Sequence, residues 1–216
     1  MPTFHTQPLS RKRRQFLVYA GAATAALGSA SGALRAQATP TATPAMTEGP
    51  FYPEAYSKEP FTQLVRGTLQ GNAIPLALEG RILDRFGKSV DGARIEIWLA
   101  DGLGHYTHSR DSEPKDRDPN FAGFGWMKTG ADGRYAISAI RPVPYPGRTP
   151  HIHFAVMAPG QKKLITQMFI DGVEQNQSDG IYARLPRAQR ALVTAKLETT
   201  GQGKNGQRTT FDLMLD

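Results

Sequence analysis

His151 and His153 stand one residue apart in the stretch Thr149-Pro-His151-Ile152-His153-Phe154-Ala-Val156, where Ile152, Phe154 and Val156 fall two apart. A period of two is that of a β-strand, so the apolar side chains share one face and the two imidazoles share the other. Two imidazoles on one strand face make half of a metal site. Tyr145 lies six steps before His151, and Pro146-Gly147 between them is a bend signal that can fold its phenol back over that face. A second cluster, Gly104-His105-Tyr106-Thr107-His108, again sets a tyrosine among histidines. These two places hold all four histidines beyond residue 38, which suggests two arms converging on one ion.

Which ion depends on which side chains bind. The chain has no cysteine, so thiolate ligands, disulfides and a cysteine nucleophile are excluded. Two His with a carboxylate would suit ferrous iron, and three His with an open position would suit zinc or copper. Two His with two Tyr would differ from both. A phenol with its ordinary pKa of about 10 loses its proton at neutral pH only to a strongly charged Lewis acid. Its hard oxygen then favours ferric iron.

The elements that must position these groups follow an N-terminal address. Residues 1–38 carry Arg11, Lys12, Arg13, Arg14 and Arg35, a mildly apolar Ala/Gly/Leu run, and Ala36-Gln37-Ala38, a small-x-small cleavage pattern. The paired arginines before Phe16-Leu17 read as a twin-arginine signal, which exports a protein already folded to the periplasm or outside. The run is too rich in Ala and Gly for a membrane span. Of the formal charge of +7, this segment holds +5, so residues 39–216 carry only +2 and no nucleic-acid groove is implied. Residues 39–46 are a Thr/Pro/Ala linker, and from Thr47 a Gly- and Pro-bearing segment reads as an arm laid across one domain spanning 47–216.

The grammar of that domain is all-β. Strands are expected at 78–83, 94–99, 135–140, from His151, at 164–170 and at 209–215, with an Asp132-Gly133 hairpin signal and one short C-terminal helix at 186–197. Residues 111–119 read as a solvated charged loop, and Trp98 and Trp126 as packing residues. Many short strands between turn signals imply a β-sandwich.

Several pieces carry a resemblance. They are Gly80-Arg-Ile-Leu-Asp84, Gly92-Ala-Arg-Ile-Glu-Ile-Trp98, Gly104-His-Tyr106-Thr-His108, Asp118-Pro-Asn-Phe-Ala-Gly123, Pro144-Tyr145-Pro146, Arg148-Thr-Pro-His151-Ile-His153 and Ile165-Thr-Gln167. Together they resemble the intradiol ring-cleavage dioxygenase family, nearest its protocatechuate 3,4-dioxygenase type, from about residue 47 to 215. Some of the same pieces also fit non-catalytic transthyretin-like β-domains, so the tyrosine–histidine set decides between them.

The resemblance implies a ferric ion, Fe(3+), held by Tyr106, Tyr145, His151 and His153, with Tyr145 and His153 axial. It implies a catechol-type substrate and dioxygen, cleavage between the two hydroxyl-bearing carbons to a cis,cis-muconate, and a role in aromatic compound catabolism. Tyr145 would take a substrate proton, Arg148 would stabilise negative charge on the ring, and Gln167 would lie on the oxygen side. Gly49 and Pro50 would line the substrate pocket with Arg148. Gly147 stands where related enzymes place a bulky tryptophan, which opens the pocket and removes the basis for assuming protocatechuate itself. A homo-oligomer and a partner subunit are both compatible with this reading.

Overall fold

The computed structural model describes residues 41–200 and 206–216. The export signal expected over 1–38 lies outside the described residues. Two sheets pack face to face. In the first, β1 (Pro75–Leu83) alternates exposed and buried residues, sending Leu76, Leu78 and Ile82 inward. It pairs antiparallel with β4 (Arg134–Ile140) and parallel with β9 (Gln207–Thr210) and β10 (Leu213–Met214), and β9 carries β8 (Glu198–Thr199). The second sheet has the order β3 (Phe124–Lys128), β2 (Arg94–Trp98), β5 (His151–Met157), β6 (Leu164–Ile170) and β7 (Thr194–Ala195).

Between the sheets lies a core in which Ile95, Ile97, Ile152, Phe154 and Val156 meet Leu76, Leu78, Ile137 and Leu213. Each such buried side chain contributes on the order of 1.5–3 kcal/mol. The alternation read from the sequence at β5 is therefore the one that closes the sandwich. Among the described residues no helix is long and apolar enough to cross a membrane.

Three expectations change in the folded chain. The strand expected at 209–215 is one line of pairing interrupted at Asp212, whose carboxylate accepts the N–H of Arg81 in place of a backbone carbonyl. The Asp132-Gly133 turn forms, with Gly133 N–H on the Gly130 carbonyl, but it joins β3 of one sheet to β4 of the other and so makes no hairpin. The C-terminal helix is only α1 (Arg187–Arg190). It stops because Phe169 N–H binds the Val193 carbonyl and Asp171 N–H binds that of Ala195, which draws the chain into β7. A paired sheet edge outweighs local helix preference here.

The outer face of the second sheet is covered. Thr43 exchanges hydrogen bonds with Met214, Met46 N–H binds the Ile165 carbonyl, and Thr166 Oγ1 donates to Pro44 O. From Thr41 onward, the stretch expected as a linker thus lies along the body. The expected arm continues it: Tyr52 Oη donates to Glu96 at 2.7 Å and Trp126 Nε1 donates to Ser57 O. Beneath this cover sits a second cluster of Trp98, Tyr106, Phe124 and Trp126, packed against Phe51, Tyr52 and Tyr145.

Candidate active site

Four donor atoms converge on that covered face. Tyr106 Oη lies 3.5 Å from Tyr145 Oη and 3.4 Å from His151 Nε2, Tyr145 Oη lies 3.3 Å from His151 Nε2, and His151 Nε2 lies 3.2 Å from His153 Nε2. A cation bound at about 2.0–2.1 Å to nitrogen and oxygen donors holds neighbouring ones about 2.9–3.6 Å apart for angles between 90° and 120°. The four side chains named from the sequence therefore have the spacing of ligands around one ion.

Each donor is placed by a separate local device. His151 and His153 leave β5 on the face opposite Ile152 and Phe154; Trp98 on β2 and Gln167 on β6 are the cross-strand neighbours of His153. The Trp98 ring lies flat against that of His153, centroids 4.8 Å apart at 11°, so Trp98 is a wall of the site as well as a packing residue. Tyr106 sits in a loop braced by buried Asp101, which accepts the N–H groups of Leu103, His105 and Asp118. Asp111 accepts the N–H of Tyr106 itself. Tyr145 opens a turn in which Arg148 N–H returns to the Tyr145 carbonyl at 2.9 Å. Pro146 is its second residue and Gly147, at φ +80°, its third, a conformation that a β-carbon would disfavour.

The charge state of the site follows from burial. Burial, followed by the Arg148 charge, lowers the pKa of His151 from 6.5 to about 4, and burial together with His151 lowers that of His153 well below its ordinary value. His151 Nδ1 is 2.6 Å from the Thr149 carbonyl, so it carries the proton and Nε2 presents a lone pair to the other donors. Burial also raises both phenols, Tyr106 most strongly, while Tyr106 and Arg148 partly oppose the rise at Tyr145. Two neutral imidazoles beside two phenols that ionise only for a highly charged partner are a donor set that fits ferric iron. Among the described residues no group of three His, Asp or Glu comes together to hold a metal without the tyrosines.

A pH prediction follows for the metal-free protein. An unfolded histidine protonates near 6.5 and folded His151 only near about 4, so its contribution is full above 6.5 and is lost as pH falls toward 4. Chelator-treated protein should lose on the order of 3 kcal/mol from this residue across that window. Thermal melts in a pH series measure it, and a melting temperature flat from 6.5 to 4 would contradict the burial of these rings.

The remaining named residues divide. Arg148 donates from Nε to Asp179 at 2.8 Å and from Nη2 to Gln167 Oε1 at 2.6 Å. Gln167, fully buried, donates in turn to the Thr47 carbonyl, which ties the arm to Arg148. Gly49 lies against His153: a β-carbon there would be 3.3 Å from Cε1 of that ring. The Pro50 carbonyl accepts Arg110 Nη2, fixing the arm at the edge of the site.

His105 and His108 do not converge on the four donors. His105 faces Asp111 at 3.7 Å and His108 faces Glu54 at 3.8 Å. The loop expected to be solvated at 111–119 ends in buried Asp118, which accepts Gln70 N–H and so helps close the Tyr106 loop.

Besides Asp101, two further buried carboxylates were given no role by the sequence. Asp179 anchors Arg148, and its signal was an Asp preceding a short helical turn, a capping position. Glu96 binds Arg94 and Tyr52, and only its place beside Trp98 on a strand hinted at burial.

Comparison with known proteins agrees with this geometry. Residues 47–216 match the family model described as Dioxygenase. The chain is 35% identical over 150 residues to the protocatechuate 3,4-dioxygenase beta chain of Burkholderia cepacia, covering 65% of this chain and 63% of that one. It is 31% identical over 191 residues to a hydroxyquinol 1,2-dioxygenase of Nocardioides simplex, covering 80% and 62%. It therefore spans under two thirds of the length of these curated relatives. The dioxygenase domain of a dioxygenase and carbohydrate-binding protein fusion from Streptomyces sp. SirexAA-E superposes with a TM-score of 0.64 at 31% identity, over 82% of this chain and 99% of that one. Family match, shared fold and the arrangement on the covered sheet face agree, and the chain belongs to the intradiol ring-cleavage dioxygenase family.

Proposed function

We propose that this protein is a ferric-iron-dependent dioxygenase that opens a catechol ring between its two hydroxyl-bearing carbons to give a cis,cis-muconate-type product. The observation that carries this reading is the meeting of two phenol oxygens and two imidazole nitrogens within 3.2–3.5 Å of their neighbours. Tyr106, Tyr145, His151 and His153 would hold the iron. Iron held there would supply a Lewis acid that draws electron density from the catechol oxygens and makes the ring reactive toward dioxygen.

The chain's own residues supply the rest. Tyr145 is the only one of the four that is not fully buried, so its Oη is the oxygen that can turn away and receive a proton from a catechol hydroxyl. Arg148, beside Tyr145, stabilises the negative charge that this transfer leaves on the ring oxygen. Trp98 and Phe51 give the site flat apolar walls, Phe51 lying 5.0 Å from Tyr106. Gly49 keeps the approach to His153 free of a side chain, and nothing lies within 4 Å of where a Gly147 β-carbon would be. That open flank admits a substituted catechol. We extend the proposal to export: residues 1–38 would carry the folded, iron-loaded chain out of the cytoplasm, alone or with further subunits.

The test begins with protein expressed in iron-replete medium. About one iron per chain, a visible phenolate-to-iron band, and oxygen uptake with catechol, protocatechuate or hydroxyquinol yielding a muconate chromophore are expected. Colourless, iron-free protein would favour a binding domain without chemistry. A semialdehyde product would place cleavage on the other side of the hydroxyl pair.

A further inference from the structure

Asp179 lies outside the four donors and hydrogen-bonds to none of them, yet it is 2% exposed and one of its carboxylate oxygens is turned to the residues that flank them. Its Oδ2 accepts two donors, Arg148 Nε at 2.8 Å and Thr149 N–H at 3.0 Å. Its Oδ1 accepts the N–H groups of Ile181 and Tyr182, both at 2.9 Å, which fixes the carboxylate plane. The Thr149 peptide so held presents its carbonyl to His151 Nδ1 at 2.6 Å. Asn176 secures the same residue from the side through Thr149 Oγ1.

We infer that Asp179 is a positioning residue: one of its carboxylate oxygens sets both the guanidinium beside Tyr145 and the ring orientation of His151. Electrostatics explain why a carboxylate is needed. A guanidinium near a trivalent cation is repelled, and Arg148, with its side chain only 18% exposed, has little water to turn toward. A buried negative charge on its far side offsets that repulsion and leaves Nη2 fixed on Gln167. The carboxylate also completes a line from the arm, through Thr47, Gln167 and Arg148, to the backbone that orients a ligand. The inference rests on the iron-site reading above and adds a residue to it.

The experiment compares wild type, Asp179→Asn, Arg148→Gln and the double variant. Asp179→Asn keeps the size and one oxygen, so iron content and the visible band should persist. Its kcat should fall about 10–100-fold, the range for outer partners of a metal site. In the Arg148→Gln background the same change should cost clearly less than it does in the wild type, because only the route through Thr149 to His151 is left for it to disturb. Independently of turnover, hydrogen exchange on metal-free Asp179→Asn should speed at Thr149 by about tenfold or more while Phe154 in β5 stays protected.

Losses that multiply in the double variant, or unchanged exchange at Thr149, overturn the role of Asp179. A wild-type chain that binds no iron sinks the site reading itself, so the two failures are told apart. Should Asp179→Asn not fold, Arg148→Lys decides: a clamped planar fork predicts activity within about threefold of Arg148→Gln, and near-wild-type activity contradicts it.

Discussion

Tyr106→Phe should weaken and shift the iron band to the part that Tyr145 contributes and lower oxygen uptake by more than about 100-fold, since outer-shell changes alone reach 10–100-fold at metal sites and this change removes a ligand. The fold should survive. Among the described residues the phenol oxygen bonds only to Tyr145 and His151, and the ring stays wedged against Phe51 and Tyr145. Loss of those bonds should move stability by no more than about 1–2 kcal/mol. Iron by mass spectrometry, the visible spectrum and an oxygen electrode on one preparation separate these effects. A variant that keeps the band unchanged and its turnover would show that the second phenolate is not a ligand, and a two-His site completed by other groups would have to replace it.

The donors were legible because strand periodicity and bend chemistry are local. Ile152, Phe154 and Val156 against His151 and His153 is a pattern of two that only one face assignment satisfies, and Pro146-Gly147 turns Tyr145 back as its residue types demand. Partnerships across the chain were not legible. Asp179 meets Arg148 from 31 residues away, and nothing within Ser178-Asp179-Gly180 announces that. Asp132-Gly133 signals a tight turn, but which sheet each flanking strand joins is decided by the core. At 186–197 the helical spacing was real, and the edge of β6 outcompeted it. β3 escaped notice because Gly125 and Lys128 blur its alternation; its pairing with β2 supplies what its own residues lack.

Glu96 exposes the largest gap of this kind. Alternation in β2 put Arg94, Glu96 and Trp98 on the face away from the core, which for a single sheet means water, yet Glu96 is 1% exposed. The arm covers it. A strand with one face in the sandwich and the other under an N-terminal segment has two buried faces, and a pattern of two cannot reveal the second.

Removing that carboxylate should therefore release the arm. Glu96 accepts Arg94 Nε at 2.6 Å and Tyr52 Oη at 2.7 Å, and burial with the Glu96 contact pushes the Tyr52 phenol up strongly, keeping it a donor. Tyr52 stands edge-on to Trp98, 5.1 Å between centroids, and Trp98 lies flat on His153. The carboxylate thus holds the arm one ring away from a proposed iron ligand. Glu96→Ala leaves Arg94 without its partner in a site only 23% exposed, which should cost about 3 kcal/mol, the lower end for a broken buried pair. Denaturant unfolding measures that loss. Cleavage by trypsin after Lys58 should accelerate in native buffer, and KM for a catechol should rise more than kcat falls, because Gly49 and Pro50 travel with the arm. An unchanged cleavage rate beside a full loss of stability would mean that Glu96 supports only the sheet, and that the arm is held by Gln167, Arg110 and its own backbone contacts.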